Sequence, residues 1–241
     1  IYDFESTHLG DPVHDLAALR LRHGSEPLGA EPAHLIRHYA KVTGVPVDPH
    51  ALSFHTASFM LASVMSMAGP LSCMADEALQ VEYLIWDLTC TRALMWAIAE
   101  LLGETITPAA PLPGRSRGRS AVVGRALRGT IARMQAGADS RQAMDATSAA
   151  HLAEWIEAAS APAAAHEAAD LDRAVAILGT RPDDWRAADT AMERFVADAG
   201  PEQDLALFRY FAAQVEDRVS EAVPFQDRMA QYALDPVALQ V

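Results

Sequence analysis

Cysteine is nearly missing from this chain: of 241 residues only Cys73 and Cys90 carry thiols. Their spacing makes neither a metal-binding pair nor a disulfide framework, which excludes a zinc ribbon and a disulfide-stapled secreted fold. Both lie in apolar helical stretches and read as small core residues. Aromatic residues supply only 7%, and much of the 51% hydrophobic content is alanine. That balance suits closely packed helices better than sheets. Strand signals are nearly absent beyond Tyr2. Cations are also short. The net charge is -13, with -8 in residues 1–106 and -5 in the remainder, which argues against nucleic acid as a partner. The acidity reads as solvated surface, with attraction of cationic substrates as the sharper alternative. No signal-peptide pattern is present, and the longest apolar runs are expected to be broken by charge before membrane-spanning length. The expectation is therefore a cytoplasmic protein with no membrane partner. Ser-His-Asp catalysis lacks its strained nucleophile turn, since no G-x-S-x-G occurs.

Helix signals fill the chain instead. Residues 32–43 open on Pro32 and stop at Gly44, the proline-first, glycine-last asymmetry of helices. Asp48-Pro49 is a cap and first-turn pair, starting a helix with Leu52, Phe59, Val64 and Met67 that is expected to end at Gly69-Pro70. Residues 75–102 carry Leu79, Tyr83, Trp86, Cys90 and Leu94 at spacings of three and four, with Gly103 closing the helix. Residues 107–119 contain three prolines and no apolar periodicity, which marks a linker and the best domain boundary. Beyond it, helices are expected at about 121–136, 141–160, 163–178, 184–198, 202–222 and 225–234, forming a small helical bundle over 120–241. The fold class is mainly α.

The richest stretch is the first seventeen residues, I-Y-D-F-E-S-T-H-L-G-D-P-V-H-D-L-A. Ile1 and Tyr2 read as the end of a strand that delivers Asp3 into a loop. Gly10 allows a tight turn, Pro12 sets φ for the helix that opens near Asp15, and Asp11 reads as a cap or turn residue. The sequence D-F-E, G-D-P, D-L-A resembles the stretch after the catalytic loop in aminoglycoside phosphotransferase-like kinases, a group that includes choline-kinase-like enzymes. The resemblance is strong over residues 1–25 and extends to about 104. It implies that residues 1–106 are the C-terminal helical part of a protein-kinase-like C-lobe.

The resemblance further implies ATP and magnesium as cofactors and phosphoryl transfer to the hydroxyl of a small molecule. Asp3 would be the magnesium ligand and Glu5 the support of the metal site. Asp15, with Asp11 and Gly10, would brace the catalytic loop. The family's usual Trp is Phe4 here, which keeps an aromatic packing residue. No Gly-rich nucleotide loop, no strand lysine and no H-G-D-x-x-x-x-N loop occurs in the chain. The general base and the second metal ligand are therefore expected upstream of Ile1, and these 241 residues alone are expected to phosphorylate nothing. A C-lobe without its N-terminal partner would expose apolar surface, so a homo-oligomer is possible. The competing reading is a helical interaction module carrying a vestigial kinase remnant.

Other candidates carry less. His34 and His38 stand at i, i+4, a spacing that can share a metal, but H-E-x-x-H and a third ligand are missing. His8 and His14 flank the turn, where local hydrogen bonding is the simpler role. Arg115, Arg117, Arg119, Arg125, Arg128 and Arg133 form the one basic cluster, read as a solvated linker and helix face, with anion docking as the alternative. Met60, Met65, Met67 and Met74 read as adaptable core packing, or as the lining of an apolar substrate groove.

Overall fold

The computed structural model describes residues 10–26, 28–73, 81–108, 119–136, 139–160, 162–222 and 225. Among them every regular element is helical. The order is α1 (Val13–Ser25), α2 (Pro32–Thr43), α3 (Pro49–Cys73), α4 (Val81–Leu102), α5 (Arg119–Gln135), α6 (Ser140–Ala159), α7 (Ala163–Leu178), α8 (Trp185–Asp198) and α9 (Asp204–Glu221). A 3-10 turn, Pro201–Gln203, leads into α9.

Local chemistry sets most helix ends. Pro32 occupies the first turn of α2, and Gly44 ends that helix in the left-handed region at φ 71° with its N–H on the Ala40 carbonyl, a conformation that costs glycine nothing. The Asp48 carboxylate accepts the His50 N–H at 3.0 Å and opens α3. Asp139 and Gln142 form a reciprocal capping box at α6, and Asp184 caps α8 by accepting the Ala187 N–H at 2.8 Å.

Two sequence expectations need correction. Helix α3 does not stop at Gly69-Pro70 but runs on to Cys73. A proline removes one N–H and crowds the carbonyl four residues back. So late in a 25-residue helix that local cost does not end it. Nor does charge interrupt the apolar run. Pro49 to Gly69 contains no Asp, Glu, Lys or Arg. By its 21 residues and mean hydropathy of 1.3 it is long and apolar enough to cross a membrane, and only 28% of it is buried inside the fold. The expected helix over 75–102 begins at Val81, residues 74–80 lying outside the described set. So do residues 226–234 of the last expected helix; Phe225 alone is described, and it is buried.

Helix α4 is the hub. On one side its small residues Ala93 and Ala97, both fully buried, let α3 and α1 approach, so that Leu21, Met60, Cys90 and Leu94 share one core. On another, Val81, Ile85 and Leu88 interlock with Val215, Val219, Ala222 and Phe225. Further along, Ala99 meets Phe208 and Ala212. Residues on either side of segment 107–119 thus share core through α4 and α9. Helix α2 is held by Ile36 against Leu16, Ala17 and Leu52, and α5 pairs with α6.

Cys90 bears out the reading of a core thiol. It is 2% exposed, and burial, with the negative field of Asp87, pushes its pKa up to about 11. Only the thiolate reacts, so Cys90 should be inert. In a Cys73→Ser background, a thiol-specific reagent at pH 8 should leave the folded protein unmodified and label one site after denaturation. Fast labelling of the native chain would contradict this burial.

Candidate functional site

The Gly10-Asp11-Pro12 turn packs against the beginning of α3. The Asp11 Oδ1 atom accepts the Val13 N–H at 2.9 Å, and the Asp11 carbonyl accepts the His14 N–H at 3.0 Å. Two donors thus bend the chain into α1. Asp11 Oδ2 lies 3.3 Å from His55 Nε2 on α3. The Val13 N–H first, and His55 second, hold the Asp11 carboxyl below its ordinary range. A depressed acid favours the folded state above its ordinary pKa, and that contribution is lost as pH falls through the lowered value. The His14 ring stands edge-on to His55 and tilted over Phe59, both at 5.6 Å between centroids. The turn is thereby pinned to α3.

Of the residues singled out in the sequence, the structure brings Asp11 together with His14, and both meet His55, which the sequence did not mark. The expectation of Asp11 as a cap or turn residue matches this geometry. Asp15 sits exposed on the first turn of α1, where its charge suits the positive helix end, and Gly10 is exposed at the turn. Asp3, Glu5 and His8 lie outside the described residues, as do Met74, Arg115 and Arg117.

His34 and His38 are both exposed on α2. Among the described residues no three His, Cys, Asp or Glu side chains converge to hold a metal. The basic cluster is partly spent internally, because Arg128 pairs with the buried Glu157. Arg133, exposed, donates to the Thr130 hydroxyl. The methionines divide between faces of α3: Met60 is in the core, whereas Met65 is 67% exposed. Phe54 and Leu61 are exposed with it.

A residue set that the sequence reading missed supports this corner from behind. Arg20 of α1 forks onto Glu100 of α4, its Nη1 donating to Oε2 at 2.9 Å and its Nη2 to Oε1. The Ser53 hydroxyl of α3 donates to the same Oε2 at 2.8 Å. One carboxylate therefore ties three helices together. Of this set only Arg20 left a sequence signal: it is the lone charge on the α1 stripe formed by Leu16, Ala17 and Leu21, and a cation on a buried stripe demands a partner.

Comparison with protein-family models, curated proteins and solved structures gives no match to this chain.

Proposed function

We propose that residues 1–106 are the C-terminal part of the catalytic lobe of an ATP- and magnesium-dependent phosphotransferase acting on a small-molecule hydroxyl. The observation that carries this reading is the order D-F-E, G-D-P, D-L-A within the first seventeen residues. The turn geometry supports it, since Asp11 opens α1 and is fastened to α3, giving the loop that bears Asp3 a rigid point of exit. In this reading Asp3 is the metal ligand, Glu5 its support, and Asp15 a brace of the catalytic loop. Magnesium, when bound to such a site, neutralises charge on the phosphates. The described residues assemble no metal site of their own, so the ligand role rests on Asp3. Proton acceptance from the hydroxyl would require a further carboxylate as general base.

The test is ADP release by the protein that includes the sequence preceding Ile1, with Asp3→Ala beside the parent. Even an outer partner of a metal costs about 10–100-fold when removed, so the variant is expected to lose at least that much turnover while its unfolding midpoint stays put. Undiminished turnover would refute the assignment.

A second reading has its own observation. Phe54, Leu61 and Met65 expose apolar surface along α3, which suits a helical interaction module with a kinase remnant. Magnesium-dependent ATP binding by the extended protein separates the two, because a remnant binds none.

A further inference from the structure

Helices α7, α8 and α9 enclose a cleft of about 190 Å³ that the phosphotransferase reading leaves unused. Its lining is heavily anionic: Glu167 and Asp170 come from α7, Asp189 from α8, and Asp217 and Glu221 from α9. Part of that charge is neutralised on the spot. Arg173 bridges Asp170 and Asp217 at 2.5 and 2.6 Å, and His166 Nδ1 lies 2.6 Å from Glu221. Arg218 is the remaining cation of the lining. Glu167 and Asp189 form no ion pair among the described residues.

The floor supplies an independent observation. Gln214 is 9% exposed and Tyr210 3% exposed, and both line the cleft. Among the described residues the Tyr210 hydroxyl has no hydrogen-bond partner, and the Gln214 side chain lines the cleft beside it. Burying an unpaired polar group costs roughly 1–3 kcal/mol, and such groups in native folds call for a partner. Burial raises the Tyr210 pKa, with the charges of Asp170 and Asp189 adding to it and those of Arg218 and Arg173 opposing them. Trp185 stands at the rim, 44% exposed, with the Arg186 guanidinium 4.1 Å from its ring centroid. A cation already stacks there, as the ring quadrupole favours.

We infer that this cleft binds a small organic ammonium ion, an alkyl diamine whose charged ends pair with Glu167 and Asp189 and whose N–H groups are accepted by Gln214 and Tyr210. A bare metal ion fits poorly, because among the described residues no three His, Cys, Asp or Glu side chains converge there. An ammonium ion needs only scattered carboxylates and neutral acceptors.

The test is calorimetric titration of the full chain with 1,4-diaminobutane against potassium chloride of equal ionic strength. Saturable binding to one site is expected, weakened at least tenfold in the Glu167→Gln/Asp189→Asn double variant. Both side chains are exposed, so that variant should fold. Gln214→Leu should weaken binding likewise with an unchanged helical spectrum; should it unfold, the double variant alone decides. No saturable heat, unaltered binding by the double variant, or equal displacement by magnesium chloride would each overturn the proposal.

Discussion

Glu216→Ala is expected to destabilise the protein by about 3–5 kcal/mol, the usual cost of stripping one partner from a buried ion pair. Glu216 is 3% exposed and Arg92 9%. The guanidinium Nε donates to Oε1 at 2.8 Å and Nη2 to Oε2 at 3.2 Å, and the Trp96 indole N–H shares Oε1 at 3.0 Å. Arginine cannot shed its proton to escape burial. The variant therefore removes the carboxylate that faces a buried guanidinium between the two helices that join the halves of the chain, leaving its stacking on the Trp96 ring at 5.3 Å. Urea unfolding should show a lower midpoint with the same slope. The pair need not stabilise relative to apolar packing. Arg92→Met with Glu216→Leu should recover most of the loss, leaving roughly 1–3 kcal/mol for the stranded Trp96 N–H. A cost under about 1 kcal/mol for Glu216→Ala would show that water reaches Arg92.

The second large effect concerns Glu100, and here the two partners should differ. The Arg20 side chain is 3% exposed and that of Glu100 21%. Glu100→Ala takes the paired carboxylate from a nearly dry guanidinium and should again cost about 3–5 kcal/mol. Arg20→Met leaves a carboxylate that still touches water and still accepts the Ser53 hydroxyl, so its cost should be clearly smaller. Methionine also fills the space of the arginine stem. Equilibrium unfolding of both variants checks the order. A reversed order would mean that exposure does not govern this pair.

Much of the helical framework was legible because its signals are local. The expected helix over 163–178 matches α7, closed by Gly179 at φ 75°. Pro32, Gly44 and Asp48-Pro49 mark ends that depend on φ preferences and on hydrogen bonds to neighbours only a few residues away. The α3 end misled although its signal was local: Gly69-Pro70 is a strong stop, yet the helix runs on to Cys73. The candidate site was legible as a motif, and Asp11 as its turn residue, whereas Glu100, Ser53 and His55 were not. They reach it from positions 44 to 80 residues away along the chain, and such separations leave no periodic trace.

By itself, then, the sequence determined a helical chain with capped segments and a net charge of -13. Those follow from backbone propensity, composition and residue order. Only the tertiary structure decided that α4 packs at once on α3 and α9, that Arg92 finds Glu216 across 124 residues, and that carboxylates from α7, α8 and α9 meet over Gln214 and Tyr210. Apolar faces specify that they must be covered, and buried charges that they must be paired. Which face and which charge answer them is settled by shape, through packing between segments far apart in the chain.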